Sequence, residues 1–340
     1  MAFKILPVFI PFIGCKSICL FCNQESIAGF SVNDILQNVE SQLKYYLNFS
    51  EKWDEVALYG GTFTSLSIDV QKSVLNLVRK YMNSPLRIST RPDYISEDTL
   101  DIMNFYNVKT IELGVQSLSE RVLVANNRDY TGDSVFLTIN NLKKYSMTIG
   151  LQIMCGLFKE CDNDYRSTVD RLLNTEFDYI RIYPALVLKG SALEKLYYNG
   201  RYKPLTLPEA IKYTAYAFIR FTSAGIKVIR MGLQNNQVLE VNIVAGPYHR
   251  SFGDLVKIFI LSLYLSKNNF LSINRKNNNY INSYGGFIGK KYEKQIFYTQ
   301  KEELFNWEDV CKRIEDEDNR WFFEEQGDKI AEDLTNKANY

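Results

Sequence analysis

The chain has 340 residues, 46% of them hydrophobic and 23% charged, and its 40 Lys and Arg against 39 Asp and Glu leave a formal net charge of +1. This is the composition of an ordinary globular protein: it excludes a disordered chain, and the near-balance of charge excludes a global field that would draw nucleic acid or membrane. The length suits one large barrel-type domain or a domain with an appendage. The apolar opening from Lys4 to Gly14 is broken by Pro7 and Pro11 and lacks a small-residue cleavage site. The apolar run Ile258 to Leu265 is far shorter than the roughly 20 residues a membrane span needs, so the expectation is a cytoplasmic protein with no membrane partner.

In chain order, short β-branched or apolar runs alternate with amphipathic helical patterns as far as residue 232. Strands are expected at Phe3 to Phe9, Glu55 to Tyr59, Leu86 to Thr90, Thr110 to Val115, Thr148 to Met154, Tyr179 to Tyr183 and Ile226 to Met231. Between them, a helix capped by Ser31 sets Ile35, Val39 and Leu43 on one face. A second, from about Asp69 to Met82, turns Val70, Val74, Leu77, Val78 and Tyr81 inward. A third follows Leu207, with Pro208 suited to its first turn. Strands alternating with helices predict an α/β fold with a parallel sheet, and six or seven such units in series suggest a partial or complete β/α barrel, with a doubly wound open sheet as the competitor. Barrel chemistry gathers at the carboxyl ends of strands, where this sequence places Gly60, Gly61, Thr90, Arg91, Gln116, Gln152, Arg181 and Arg230.

Three of the six cysteines fall within eight residues, in Cys15-Lys-Ser-Ile-Cys19-Leu-Phe-Cys22, which points to metal chemistry in a reducing compartment rather than to disulfides. Three thiolates on a four-iron cube leave one iron without a protein donor, open to substrate or cofactor. The rival is a Cys3His zinc site with His249, the only histidine, although that residue lies more than two hundred positions away in a Gly-Pro-Tyr-His-Arg turn. Cys155, Cys161 and Cys311 form no matching pattern and are read as ordinary thiols.

The C-x3-C-x2-C spacing with an aromatic before the last cysteine resembles the signature of radical S-adenosylmethionine enzymes. The segment PVFIPFIGCKSICLFCNQ, Pro7 to Gln24, resembles the start of the catalytic subunit of elongator and its bacterial relatives. Further matches follow in order at Tyr59 to Phe63 (YGGTF), Ser89 to Asp93 (STRPD), Glu112 to Ser117 (ELGVQS), Arg181 to Pro184 (RIYP) and Ile229 to Gln234 (IRMGLQ). The resemblance implies a radical-SAM-type partial barrel over residues 1–234 and a smaller C-terminal extension over 235–340. It implies a 4Fe-4S cluster on Cys15, Cys19 and Cys22 and reductive cleavage of S-adenosyl-L-methionine to a 5'-deoxyadenosyl radical, fed by an electron donor. It also implies cofactor contacts from Phe21 near the adenine, from Gly60, Gly61 and Thr62 to the methionine amino group, from Gln116 and Arg128 to ribose and carboxylate, and from Thr90, Gln152 and Arg181 more peripherally. Three departures stand out: Lys16-Ser17-Ile18 replaces Pro-His-Arg, Cys155 replaces a common proline, and nothing after residue 235 resembles an acetyltransferase domain, so acetyl transfer is not expected.

The extension divides by charge. Lys257 to Lys301 is basic, with Phe270, Tyr280, Tyr284, Phe287 and Tyr292 interleaved, and the remainder is acidic. A basic stretch with aromatics suits tRNA or another RNA, and Phe287-Ile-Gly-Lys-Lys291 faintly resembles the backbone-clamping loop of KH modules without its second glycine; a plain solvated face is the alternative. Three readings of function remain at this point: a radical enzyme acting on tRNA, one acting on a small metabolite such as a porphyrin, and a non-catalytic zinc-bearing RNA-binding module. Tyr183 and Tyr248 are the candidate hydrogen-atom donors.

Overall fold

The computed structural model describes residues 3–10, 15, 18–23, 35–234, 237–267, 271–274, 283, 287–288, 290–292, 296–299, 306–315 and 325–338. Seven strands form one sheet: β1 (Ile5–Ile10), β2 (Glu55–Gly60), β3 (Leu86–Thr90), β4 (Val108–Gln116), β5 (Thr148–Cys155), β6 (Tyr179–Pro184) and, after a two-residue β7 (Val187–Leu188), β8 (Lys227–Met231). All seven expected strands are present, displaced by two residues or fewer at their ends. They pair in parallel and in chain order, β1-β2-β3-β4-β5-β6-β8. A doubly wound sheet reverses direction partway through its order, and this one never does, so the sheet is an unclosed β/α barrel.

Strands buried on both faces read as continuous apolar runs. Leu6 and Val8 of β1, Val56 and Leu58 of β2, Ile111 and Leu113 of β4 and Leu151 and Ile153 of β5 share one core with the inner faces of the flanking helices. Val39 and Leu43 of the Ile35–Leu47 helix are buried as their spacing predicts, and Ser31 lies outside the described residues. In the Ile68–Tyr81 helix Val74 and Val78 are joined by Gln71 and Leu75, while Val70, Leu77 and Tyr81 are partly buried. Gln71 enters the core because its amide donates to the carbonyls of Thr64 and Leu66, which tie down the turn after β2. At the outer edge of β1, Gln42 accepts from the backbone N–H of Phe9 and donates to the Phe9 carbonyl, both at 2.8 Å.

The Leu207–Ser223 helix starts on a capping box, Thr206 with Glu209. It turns Tyr216, Ala217 and Phe221 to the barrel core and Ala210, Ile211, Ala215, Phe218 and Ile219 to a second core. That second core is built by the Phe252–Lys267, Trp307–Glu315 and Glu325–Ala338 helices, held also by the Lys212–Asp328 and Arg220–Glu315 ion pairs. The apolar run Ile258 to Leu265 is the centre of its buried helix, and no helix among the described residues is long and apolar enough to cross a membrane. Phe287 is 1% exposed and packs in this core, so its ring is not available to stack on a base as the sequence reading had it. Phe270, Tyr280, Tyr284 and Gly289 lie outside the described residues.

Candidate active site

A cavity of about 240 Å³ opens at the carboxyl ends of the barrel strands. Its lining brings together Cys15, Cys19, Phe21, Cys22, Gly60, Gly61, Thr62, Thr90, Gln116, Arg128 and Gln152, residues that the sequence spreads over more than 130 positions. Arg181 stands apart from the lining: its guanidinium donates to Glu112 Oε1 at 2.7 Å, inside the barrel. Tyr183 lines the cavity. Tyr248 does not, and its hydroxyl donates to Glu240 Oε1 at 2.6 Å.

Local sequence explains how the wall is made. Gly60 closes β2 at φ +120°, and a Cβ there would stand 2.2 Å from the Ile10 carbonyl oxygen, so the neighbouring strand itself demands glycine at this position. Thr62 receives a hydrogen bond from the Cys15 thiol at 3.2 Å, and the hydroxyls of Thr64 and Thr90 share one. At the end of β4 the register slips between Gly114 and Gln116, and Gln116 takes the left-handed φ of 65°. Such a conformation in a residue other than glycine is a stored cost often found at working sites. Its side-chain Oε1 is buried without a partner among the described residues, an acceptor held ready for a donor from the cavity.

The three cysteines meet different surroundings. Cys19 Sγ receives Arg128 Nη1 at 3.2 Å and Arg91 Nη1 at 3.8 Å. Both arginines are buried, 2% and 5% exposed. Arg128 is fixed by the Tyr130 hydroxyl and the Gly114 carbonyl, and Arg91 by a two-pronged contact with Asp93 at 3.0 and 2.8 Å. Burial works against the Arg128 charge, but Tyr130 and Cys19 beside it more than compensate and hold the guanidinium above its ordinary range. Burial, reinforced by the Cys19 and Cys15 thiols, pushes the Cys22 thiol up. A thiol so placed ionises when a metal takes its proton's place, which fits this donor set to an iron-sulfur cluster.

Glu112 and Gln152 of the lining belong to a buried polar network, in which the sequence analysis assigns a role to Gln152 and Arg181 but none to Glu112, Glu55, Arg87 or Tyr179. Glu112, 1% exposed, accepts from Arg87, Tyr179 and Arg181 on Oε1 and from Gln152 on Oε2, while Glu55 accepts from Thr110 on Oε1 and from Arg87 on Oε2. The signal was present as charged residues inside strands that otherwise read apolar. The same lining carries an apolar wall of Met154, Leu186, Leu188 and Leu233; of these Leu188 lies in β7, a strand too short for any periodicity to reveal. His249 accepts the Ser251 N–H on Nδ1, hydrogen-bonds the Ala338 backbone and does not line the cavity the cysteines share, which removes it as a fourth ligand.

A family model described as the Radical SAM superfamily matches residues 9–172, and one described as the Radical_SAM C-terminal domain matches 177–259. A tRNA uridine(34) acetyltransferase of Methanocaldococcus infernus is 27% identical over 226 residues, 59% of this chain and 42% of that protein. Protein YhcC of Escherichia coli is 26% identical over 211 residues, 60% of this chain and 67% of its own length. Elongator complex protein 3 of Saccharomyces cerevisiae is 34% identical over 125 residues, 35% of this chain and 22% of that one. The chain thus spans less than half of the acetyltransferase and about a fifth of the yeast protein. Among solved structures, an archaeal Elp3 from Methanocaldococcus infernus superposes with TM-score 0.59 at 20% identity, covering 77% of this chain and 64% of that one. Coproporphyrinogen III oxidase of Escherichia coli superposes with TM-score 0.50 at 18% identity, covering 66% and 53%. These two share the fold of the unclosed barrel.

Proposed function

Because the chain belongs to the radical S-adenosylmethionine superfamily of enzymes, we propose that Cys15, Cys19 and Cys22 hold a 4Fe-4S cluster and that the cavity beside them binds S-adenosyl-L-methionine for radical chemistry on tRNA. The observation that carries this reading is the convergence of the three thiols and the strand-end polar groups on one cavity. When bound, the cluster and S-adenosyl-L-methionine together supply a 5'-deoxyadenosyl radical, the hard chemistry being theirs.

The protein's own share is binding, orientation and exclusion of water. Gly60, Gly61 and Thr62 offer backbone close to the cysteine loop for the methionine amino group. Gln116 offers its unpartnered carbonyl oxygen to a ribose hydroxyl, and Arg128 offers a guanidinium to the carboxylate. Phe21 packs against the cluster of Val122, Leu157 and Ala185 and so presents a ring fixed from behind to the adenine. The apolar wall of Met154, Leu186, Leu188 and Leu233 keeps the far side of the cavity dry, where a reactive radical has no water to meet. Residues 235–340 serve as the substrate-contacting extension in this proposal. The tRNA assignment is supported by the names of the partly matching relatives.

The apolar wall favours a second reading, a small metabolite with an apolar face such as a porphyrin. The deciding experiment is anaerobic reconstitution with iron and sulfide, reduction by dithionite, and detection of 5'-deoxyadenosine. Turnover raised by tRNA, with a mass shift in one nucleoside, supports the first reading. Turnover raised by a porphyrinogen and indifferent to tRNA supports the second, and no cleavage under any of these conditions overturns both.

A further inference from the structure

We propose that Arg91, held by Asp93 in the STRPD segment, is a positioning residue that sets the reduction potential of the cluster through the Cys19 sulfur. The assignment rests on the cluster reading above. The guanidinium has a fork of donors, and two of its nitrogens are committed to the Asp93 carboxylate, Nε at 3.0 Å and Nη2 at 2.8 Å. That grip leaves Nη1 directed at Cys19 Sγ at 3.8 Å. The rings of Tyr94 and Tyr130 pack against the guanidinium, their centres 5.3 and 5.8 Å from its carbon. With Arg91 at 5% exposure, water screens little of this charge.

The contact is uneven among the ligands. Cys15 meets a neutral hydroxyl, Thr62 Oγ1 at 3.2 Å, whereas Cys19 meets two guanidiniums. Hydrogen bonds to ligand sulfurs, nearby charge and burial are the levers by which a protein tunes an iron-sulfur potential. Taking up one electron from an external low-potential donor makes the cluster more negative by one charge. A cation beside Cys19 stabilises that reduced form and raises the midpoint, and Asp93 offsets part of the rise. Arg128 sits against the same sulfur at 3.2 Å, but the reading above assigns it to the S-adenosyl-L-methionine carboxylate; Arg91, with its own carboxylate partner, is the member of the pair that this reading leaves without a cofactor contact.

The test is an electron-paramagnetic-resonance redox titration of the reconstituted protein without S-adenosyl-L-methionine, comparing wild type, Arg91→Gln and Asp93→Asn at matched iron content and circular dichroism. The midpoint is expected to move to more negative potential in Arg91→Gln and to more positive potential in Asp93→Asn, with Arg91→Lys lying between wild type and Arg91→Gln. Opposite signs from adjacent substitutions are what a charge effect produces and a packing defect does not. Midpoints that stay at the wild-type value, or that move in the same direction in both variants, overturn the assignment. So does loss of the cluster from a folded Arg91→Gln protein, since the arginine would then be retaining the cluster rather than setting its potential. A wild-type protein that takes up no cluster overturns this assignment together with the reading beneath it, and that result is distinct from all the others.

Discussion

Two groups of buried charge lie within the same half-barrel, both drawing on β3 and β4 or the turns that follow them, and they are built to opposite specifications. Around Glu112 and Glu55, two carboxylates meet two guanidiniums, and every carboxylate oxygen has a donor; among the described residues the Arg181 Nε is without a partner. Four residues on from Arg87, at Arg91, the balance is gone. Two arginines crowd one thiol, Asp93 is the carboxylate that pairs with Arg91, and among the described residues the Gln116 carbonyl oxygen has no donor. A closed network fixes the strands that carry it, whereas an open one costs stability until something completes it. On the function proposed above, the contrast is between a network that holds the strands together and a group left open for a cofactor.

The largest effect expected is on the open group. Cys19→Ala should abolish iron uptake on reconstitution while the unfolding transition of the metal-free protein changes little; retained iron would break the assignment of the triplet. In the closed group the pattern inverts. Glu112→Ala leaves Arg87 and Arg181 buried without their shared carboxylate and should cost about 3–5 kcal/mol in denaturant unfolding, and a cost within the ordinary surface range would show that the network is not structural.

A third carboxylate, half-buried, sharpens the comparison from outside both groups. Glu160 accepts the N–H groups of Gly156 and Leu157 on Oε2, its Oε1 is without a partner, and burial pushes it up to about 8. Between the ordinary carboxyl value and about 8, the folded chain holds a proton that the unfolded chain releases. Stability therefore falls as pH rises through that window and levels off above it, by an amount on the order of a few kcal/mol. Glu160→Gln should flatten this part of the pH profile, and an unchanged slope in the variant would refute the cause. The smallest effect expected is at Gln116: Gln116→Ala should weaken S-adenosyl-L-methionine binding about tenfold, near 1.4 kcal/mol, at unchanged stability, as calorimetry on the reconstituted protein would read.

How much of this was legible in the sequence follows from the range over which each signal acts. The seven strands and the helix faces through Val39, Val74 and Val78 were readable because periodicity is local. The cysteine triplet was readable because its members are neighbours. Glu112, Gly114 and Arg91 stand in segments that were noticed as strands or motifs, but their roles depend on what lies across the sheet, on Arg87, Arg128 and Cys19, which no local pattern contains. Gln116 shows the division within one residue. Its place at a strand end was evident, while the slipped register and left-handed backbone that orphan its oxygen arise only when β4 is laid against β5. Leu188 of the apolar wall was hidden for the simpler reason that the two residues of β7 carry no period.

A half-barrel, unlike a closed one, ends in strands with unsatisfied backbone, and such edges are templates on which a second copy or a misfolded chain can grow. At Phe9 the Gln42 amide imitates a passing peptide bond, accepting once and donating once, as an adjoining strand would. Any invading strand would first have to evict it near the carboxyl end of β1, at the approach to the cysteine loop. Among the described residues no further strand covers this edge, so one glutamine does there what a neighbouring strand would do, beside the cysteine loop.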